Sequence, residues 1–381
     1  MKQTYDVIVV GAGPAGATLA YELARKGITV LLLEKENLPR YKCCAGGVTS
    51  KAAKLLDFDI SGIAEDTIHR ASFTFNLGTP YLGRYDRPLL YTVMRDVFDH
   101  SLATRARRSG ADLMDGQNVK RIQPSADYIE VSSAHNIFRS RIVVGADGAY
   151  SVVARDLDMH KGTKCLVAIE SEITVPEEKL GEWRSQILID LGYVPGGYAW
   201  VFPKRDHLSI GVGCLSSQAR ELSHHHERFL HSLGLGSYTI TRSSSQKIPT
   251  RTRGRLVWRN QALLVGDAAG LADPLTGEGI HNAIKSAQLA VPAIEKRLMT
   301  GKDGLQDYQE AVDSEIISEL RIAHTVSGFF VHSPRLVFGM LNQGNELWEA
   351  LCELMLGETS YAALKERIGG YRGIFSRLFR A

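Results

Sequence analysis

A glycine-rich turn between two apolar strands constrains the fold of this chain more than any other feature. The β-branched run at residues 7–10 ends at Gly11, and Gly13 and Gly16 complete a Gly-x-Gly-x-x-Gly spacing that opens an apolar helix. The first glycine allows a tight turn, the second lets a pyrophosphate approach the backbone, and the third lets helix and strand pack closely. The next strand ends at Glu34, whose carboxylate can accept hydrogen bonds from a ribose. The stretch predicts a βαβ unit that binds an adenine dinucleotide, whereas a purely structural turn would not explain Glu34.

Two later loops repeat this arrangement of a buried strand followed by an acid and glycines. An apolar strand at residues 141–145 leads into Asp147, and another at residues 261–265 leads into a loop that contains Asp267. The second loop, residues 266–280, ends at the start of a long helix. An acid and glycines placed before a helix N-terminus can face a bound phosphate or sugar. We therefore predict that both loops meet the same cofactor.

The rest of the pattern divides the chain into sheet and helix. Residues 68–91 and 165–249 alternate like strands, which favours an antiparallel sheet, and residues 306–381 have helical periodicity. The fold class is α/β, or α+β overall, with a Rossmann-like domain, an inserted antiparallel-sheet domain and a C-terminal helical region. The predicted boundaries are residues 1–66 with 93–160 and 255–305, residues 67–92 with 161–254, and residues 306–381. Individual helices are predicted at residues 15–26, 49–56, 95–109 and 280–299.

Composition places the chain among ordinary globular proteins and excludes several functions. The chain has 381 residues, which suits two or three packed regions, and a net charge of +3 is too small to indicate nucleic-acid binding. The N-terminus enters a strand at once, so no signal peptide is expected, and no apolar run reaches the ~20 residues that span a bilayer. A cytoplasmic protein is expected. The five cysteines lack metal-ligand or disulfide-framework spacing: Cys43, Cys44, Cys165, Cys214 and Cys352.

The three cofactor motifs, in this order and each after a strand, resemble those of FAD-dependent oxidoreductases of the para-hydroxybenzoate hydroxylase fold. The resemblance covers about residues 5–300. It implies that Asp147 supports the pyrophosphate side of FAD and that Asp267 binds the ribityl chain. It also implies that Arg95, at the start of its helix, contacts the FAD phosphates.

Two local signatures resemble a narrower group, the geranylgeranyl reductase family, whose members saturate isoprenoid double bonds. One signature is the loop at residues 39–47, with Cys44 and a double glycine, and the other is Tyr-x-Trp-x-Phe-Pro at residues 198–203 followed by Gly-x-Gly. Many relatives have Cys-Gly-Gly-Gly where this chain has Ala45, so the local turn is expected to differ. In the family, the double glycine lies by the isoalloxazine ring and the aromatic strand lines a substrate cavity over it.

The aromatic strand also makes physical sense for such a substrate. An isolated alkene offers nothing to hydrogen-bond, so its cavity must be long, apolar and aromatic. Tyr198, Trp200 and Phe202 alternate along one strand and therefore project to one face. Three core aromatics between two domains would show the same pattern, and both interpretations can hold together. The expected reaction is hydride delivery from the flavin to one alkene carbon and proton delivery to the other, with Cys44, Tyr198 or water as candidate proton donors.

The predicted site residues fall into three groups. Those predicted to act in catalysis are Cys44, Gly46, Gly47 and Tyr198. Those predicted to bind the cofactor are Gly11, Gly13, Pro14, Ala15, Gly16, Glu34, Lys35, Arg40, Cys44, Ala45, Gly46, Arg95, Val119, Asp147, Gly148, Gly266, Asp267, Pro274, Gly277, Gly279 and Ile280. Those predicted to bind substrate are Tyr198, Trp200, Phe202, Pro203, Gly211 and Gly213. No metal site is predicted.

Several alternatives stay open at this stage. The substrate could be a lipid, quinone or chlorophyll-type isoprenoid. A flavin monooxygenase or halogenase shares the fold, and a flavoprotein that senses redox state or carries lipid needs no catalysis. The chain has no second Gly-x-Gly-x-x-Gly unit for a nicotinamide cofactor. The electron donor is therefore either NAD(P)H, which can bind this fold transiently without such a unit, or a ferredoxin. Residues 371–380 combine apolar Ile374, Phe375, Leu378 and Phe379 with basic Arg377 and Arg380. That segment could rest on an anionic membrane surface or pack on its own domain.

Overall fold

The computed structural model describes residues 4–159, 164–251, 256–301 and 304–369. Within them the strands are β1 (Thr4–Val10), β2 (Val30–Leu33), β3 (Gly47–Thr49), β4 (Ala64–Ile68), β5 (Arg70–Phe75), β6 (Tyr81–Arg84), β7 (Leu90–Val93), β8 (Asp112–Met114), β9 (Val119–Pro124), β10 (Ile129–Ser133), β11 (Ile137–Gly145), β12 (Lys164–Thr174), β13 (Gln186–Leu191), β14 (Gly197–Pro203), β15 (Leu208–Leu215), β16 (Thr239–Thr250), β17 (Trp258–Arg259) and β18 (Ala262–Leu264). The helices are α1 (Pro14–Arg25), α2 (Ser50–Ala53), α3 (Arg95–Arg108), α4 (Val152–Asp156), α5 (Glu177–Glu182), α6 (Leu222–Ser232), α7 (Ile280–Thr300), α8 (Leu305–Val312), α9 (Ser318–His332), α10 (Pro334–Asn342), α11 (Glu346–Leu356) and α12 (Tyr361–Gly369).

The first sheet is the Rossmann-like core. Its order is β17-β18-β11-β1-β2-β8, with β10 and β9 continuing beside β11. The contiguous pairs from β18 to β8 are parallel. Residues 7–10 of β1 and all of β2 are buried, as expected for parallel strands covered on both faces. Helix α1 packs against α3 and α7, so the predicted Rossmann-like fold is confirmed.

The second sheet has the order β16-β12-β15-β14-β13-β5-β6. It is antiparallel except that β13 pairs with β5 in parallel, because β5 enters from an early part of the chain rather than from a hairpin. One face packs on α6, where Phe229 and Leu230 join Ile210 and Val212 in an apolar core. The opposite face carries Tyr198, Trp200 and Phe202 and points toward the loops of the first sheet. The predicted second, mainly antiparallel sheet is present.

A small sheet and the C-terminal helices complete the architecture. Strand β7 pairs with β3 and β4, although its first three residues fall in the range 67–92 predicted for the larger sheet. Helices α8–α12 form the predicted helical region, and part of it packs on β5 and β13 in a core that includes Phe73 and Trp348. The short helix predicted over residues 49–56 spans only Ser50–Ala53. The domain boundaries stay a prediction.

Candidate functional site

The three sequence motifs lie at the carboxyl ends of neighbouring parallel strands. Gly11 follows β1, Asp147 follows β11, and Asp267 follows β18, and these strands are adjacent in the sheet. Backbone bonds tie the ends together: the Ala146 amide donates to Val10 O at 2.8 Å and the Val265 amide donates to Gly145 O at 3.0 Å. A doubly wound sheet opens a binding crevice at this edge. The three loops therefore meet where the sequence predicts a cofactor.

The glycine turn is closed by backbone contacts that no larger residue would permit. Gly11 has φ +103°, and a Cβ there would lie 2.4 Å from Ala146 O. A Cβ on Gly16 would lie 1.9 Å from Gly11 O. Gly13 caps α1 without any side-chain hydrogen bond, and Pro14 takes the first helical position ahead of buried Ala15. The first amides of α1 are thus free to bind a phosphate group.

Glu34 and two arginines form a buried charged cluster around Asp99. The Glu34 carboxylate accepts the Ala12 amide at 3.0 Å and lies 3.4 Å from Arg40. Asp99, which is fully buried, binds Arg95 through both oxygens at 2.8 and 2.9 Å and Arg40 at 2.8 Å. Glu34 and Asp99 together balance the charges of Arg40 and Arg95, so the cluster is neutral overall. Its guanidinium groups can still donate hydrogen bonds to an anionic pyrophosphate beside the glycine turn.

The two motif aspartates are both withdrawn from water. The Oδ2 of Asp147 accepts the Val152 amide at 2.7 Å, whereas its Oδ1 is buried and has no hydrogen-bond partner among the residues that the structure describes. Burial raises the pKa of Asp147. Burial also raises the pKa of Asp267, while nearby Lys42 and Arg95 oppose the shift. A hydroxylated ligand could satisfy such carboxyl groups, which otherwise are costly to bury.

The loop that ends at α7 is shaped by glycines and by Asp273. Gly266 and Gly277 have positive φ angles of +56° and +69°, and a Cβ on Gly279 would lie 3.1 Å from Asp267 Oδ1. The Asp273 carboxylate accepts the amides of residues 275 and 276 and the hydroxyl of Tyr361 at 2.6 Å. Tyr361 begins α12, so the C-terminal region fixes this cofactor loop.

The loop with the double glycine is held by a buried lysine. Lys204 is fully buried, and its ammonium donates to Ala45 O at 2.6 Å and Val93 O at 2.8 Å. Burial lowers the pKa of Lys204. Gly46 has φ +72°, and a Cβ there would lie 2.0 Å from Val93 O. The Gly46 amide donates to Cys44 Sγ at 3.4 Å, so the turn at Ala45 is compact.

The aromatic side chains of β14 face this loop, and two glycines of the neighbouring strand β15 leave room for them. The rings of Tyr198 and Trp200 lie 5.8 Å apart, and a Cβ on Gly47 would lie 2.9 Å from the Phe202 ring. Register pairs Trp200 with Gly211 and Tyr198 with Gly213. The shared face predicted for the three aromatics is present.

The remaining predicted residues have less specific contacts. The Lys35 side chain points outward, 3.8 Å from Glu36, and only its backbone contacts Glu34. Val119 is buried at the start of β9, and Gly148 has φ +75° with open space around its Cα. Pro274 O accepts the Ser327 hydroxyl. Ile280 starts α7, and Pro203 ends β14.

Sequence reasoning missed several residues that the fold brings to the site. Asp99 lies one helical turn after Arg95, a spacing that could have signalled the ion pair. Lys204 directly follows the Phe-Pro signature. Glu170 and Glu172 alternate along β12, and both are buried on the face that carries Trp200. Their alternation was visible in the sequence, but such a pattern usually marks a solvent-facing side.

Comparison with known proteins identifies the family. Residues 4–314 match the model of the FAD binding domain family. The chain belongs to this family. Its cofactor is FAD. Among the residues that the structure describes, no group of His, Cys, Asp and Glu could hold a metal ion.

Individual relatives agree with the resemblance read from the motifs. The digeranylgeranylglycerophospholipid reductase of Methanosarcina acetivorans is 28% identical over 328 residues, which cover 82% of this chain and 80% of that protein. The solved structure of a geranylgeranyl bacteriochlorophyll reductase-like protein of Thermoplasma acidophilum is similar at TM-score 0.83 and 22% identity, covering 99% and 98% of the two chains. The flavin-dependent brominase Bmp2 is similar at TM-score 0.76 and 18% identity, covering 97% and 99%. The predicted resemblance to the geranylgeranyl reductase family is confirmed.

Proposed function

We propose that this protein is an FAD-dependent reductase that saturates carbon–carbon double bonds of an isoprenoid chain carried by a lipid. The observation that carries the proposal is the aromatic face of β14 beside the loop at residues 44–47. The name of the Methanosarcina relative supports a phospholipid-linked geranylgeranyl chain as the substrate.

Apolar side chains continue from the aromatic face of β14 into the core formed with the C-terminal helices. Half-buried Tyr198 and Phe202 from β14 and Leu275 from the loop before α7 pack on the same core as side chains of the C-terminal helices, among them Phe330 and Phe338. Three separate parts of the chain thus contribute apolar surface next to the flavin-binding loops. A linear isoprenoid needs this continuity, because it binds through apolar contact along its whole length.

The residues of this chain would position the reaction rather than supply its electrons. FAD provides hydride chemistry when it is bound. The loop at Gly46 and Gly47 allows a flat ring to approach the backbone, and the aromatic wall excludes water from the alkene. Tyr198 donates its hydroxyl to Thr276 O at 2.5 Å, so its proton is already engaged. This arrangement makes Tyr198 a positioning group for the cofactor loop.

The test is anaerobic reoxidation of the reduced flavoprotein by a geranylgeranyl phospholipid, followed by mass spectrometry of the lipid. We expect a gain of two hydrogens for each double bond reduced and return of the oxidised flavin spectrum. Phe202→Ser should weaken lipid turnover by opening the wall to water. The matched control is Leu82→Ser, at a side chain of the same sheet that is 54% exposed. Failure of any prenyl lipid to reoxidise the flavin would contradict the proposal.

A halogenase or monooxygenase is the second candidate, favoured by the fold shared with the brominase. Such an enzyme would consume oxygen and form a halogenated or hydroxylated product. Saturated lipid formed without oxygen excludes this candidate, and product formed only in air excludes the reductase. Stable FAD that neither acceptor reoxidises would instead indicate a redox sensor or lipid carrier.

The electron donor is NAD(P)H or a ferredoxin in our proposal. Anaerobic mixing of oxidised protein with NADPH, NADH or reduced ferredoxin, followed by flavin absorbance, identifies which one reduces it at a useful rate.

Membrane contact is a further part of the proposal, since prenyl lipids reside in bilayers. None of the helices that the structure describes is long and apolar enough to cross a membrane. The basic amphipathic segment at residues 371–380 lies outside the described residues. Flotation with anionic liposomes, comparing the full chain with one ending at Gly370, tests the segment, and equal flotation would exclude it.

A further inference from the structure

Two glutamates lie on the face of the second sheet that carries Trp200. Glu170 is 1% exposed and Glu172 is 6% exposed, and both belong to β12. Register pairs Glu170 with Gly211, which in turn pairs with Trp200. Directly paired residues of neighbouring strands point to the same face. Glu170 is therefore in the same cross-strand row as Trp200, separated from it only by a glycine.

Glu170 is buried without a hydrogen-bonded cation among the partners that the structure describes. Its Oε1 accepts the Ser209 hydroxyl at 2.8 Å, and its Oε2 lies 3.6 Å from the Cys43 sulfur. Lys204 acts on it electrostatically, but the lysine ammonium donates to Ala45 O and Val93 O instead. Burial, followed by the charge of Glu172, raises the pKa of Glu170 to about 7. A carboxyl group in such surroundings can hold a proton at neutral pH.

Glu172, the next acid on the same face of β12, is linked toward solvent through a histidine. The Glu172 Oε2 lies 2.9 Å from His207 Nε2, and His207 Nδ1 lies 2.6 Å from Asp206 Oδ1. The His207 side chain is 14% exposed, whereas that of Asp206 is 84% exposed. Burial alone would lower the pKa of His207, but its bonds to Glu172 and Asp206 raise it overall. Asp206, His207 and Glu172, each in contact with the next, thus lead from the surface toward buried Glu170.

The buried glutamates lie beside the loop that carries Cys43 and the double glycine. Cys43 contacts Glu170 and also lies 3.6 Å from Ser244 O, so the loop is packed over the acids. Cys43 immediately precedes Cys44 and the double glycine. Tyr41, from the same loop, is close to both glutamates, and Arg242 of β16 lies over its ring at 4.1 Å.

We propose that Glu170 stores the proton consumed in alkene reduction and is recharged from solvent through Glu172, His207 and Asp206. The inference rests on the proposed reductase function. In each turnover the π bond breaks, one carbon gains a hydride from the reduced flavin, and the other gains a proton delivered at the Cys43–Gly47 loop. Protonated Glu170 supplies this proton directly toward that loop, where its Oε2 lies 3.6 Å from the Cys43 sulfur. The Glu170 carboxylate then regains a proton from His207 through Glu172, and solvent reprotonates the imidazole.

The first test detects the stored proton without any turnover. The infrared carboxylic-acid band of the FAD-loaded protein is measured between about pH 5 and about pH 9. We expect a band that disappears around neutral pH and is missing in Glu170→Gln. The groups that face Glu170 are Glu172, Ser209, Lys204, Cys43 and Tyr41. The matched control is Glu130→Gln on β10, which should retain the band. A wild-type protein without a titrating band contradicts the proposal.

The second test separates proton storage from a structural role. Reoxidation of reduced flavin by a prenyl lipid is followed in a single turnover and at steady state. Glu170→Gln should slow the single turnover by about a hundredfold and remove its dependence on pH near neutrality. His207→Gln, which can still hydrogen-bond to Glu172, should leave the first turnover fast and slow the later ones.

The outcomes distinguish the two proposals. If wild-type protein reduces lipid and Glu170→Gln does so at the same rate and with the same pH profile, the proton store is excluded while the reductase stands. If the titrating band is present and is lost in Glu170→Gln but no lipid is reduced, the proton-holding carboxyl is supported and the reductase function is excluded.

Discussion

The indole ring of Trp200 lies directly over the backbone of Gly211 on the neighbouring strand. A Cβ at Gly211 would come within 2.2 Å of Trp200 Cζ2, so the glycine is what lets the ring lie flat against the sheet. The Trp200 Nε1 is buried without a partner in the described part of the protein. A buried donor without a partner costs free energy. The protein keeps the Trp200 ring beside the double-glycine loop despite this cost, and an apolar ring in this place suits a wall for an apolar substrate.

Gly211→Ala should therefore displace the Trp200 ring. The added methyl group meets the indole and the Ile169 carbonyl, and overpacking of this kind costs about 1–3 kcal/mol of unfolding free energy. Urea denaturation measures the loss, and lipid turnover should fall with it. The control is Gly181→Ala in α5, where a Cβ would meet nothing within 4 Å. Equal stability of the two variants would show that the ring can move without cost.

Asp99→Asn should weaken both folding and FAD binding. The carboxylate binds Arg95 and Arg40 at once. Removing its charge leaves two nearly buried guanidinium groups with less compensation and without the partner that holds them in position to bind a phosphate. Breaking a buried ion pair costs about 3–5 kcal/mol. Denaturant unfolding and flavin fluorescence titration measure the two effects. The control Glu130→Gln breaks the half-exposed pair with Arg139 and should cost less than about 1 kcal/mol. A normal FAD affinity in Asp99→Asn would exclude a role for this cluster in phosphate binding.

The cofactor loops were predictable because each signature is local. Gly11, Asp147 and Asp267 each follow a strand, and parallel strands bring their carboxyl ends to one edge whatever the distant packing. Asp99 was visible at helical spacing from Arg95, but its second partner, Arg40, lies 59 residues away along the chain.

The acids of the second sheet could not be interpreted in the same way. Alternating glutamates in a strand usually mark its solvent face. Only the pairing of β12 with β15, and the loop of Cys43 packed above, show that Glu170 is buried. Lys204 likewise would be expected to extend into solvent from a strand end until Ala45 and Val93 are seen around it.

Lys204→Met should release the double-glycine loop. Methionine has a similar length but donates no hydrogen bond, so the half-buried carbonyl of Ala45 and the buried carbonyl of Val93 would each lose a partner. Each loss costs about 1–3 kcal/mol. We expect lower unfolding free energy and weaker flavin binding, measured by denaturation and by flavin absorbance after gel filtration. Lys179→Met, at an exposed ion pair of α5, should change neither quantity. Full retention of FAD in Lys204→Met would contradict the expected role of the lysine.

The raised pKa of Glu170 predicts a particular dependence of stability on pH. The protonated form is favoured in the folded protein, with a pKa of about 7 compared with 4.5 when unperturbed. The resulting stabilisation is therefore complete below the unfolded pKa and is lost as pH rises through about 7. His207, whose pKa is also raised, changes stability in the same direction.

The difference between wild type and Glu170→Gln reports the titration of Glu170 together with its coupling to Glu172. Relative to wild type, the variant should become more stable as pH rises from about 5 to about 8. Urea unfolding across this range measures the difference, and Glu130→Gln should follow the wild-type slope. Parallel curves for wild type and Glu170→Gln would show that Glu170 titrates alike in the folded and unfolded chain.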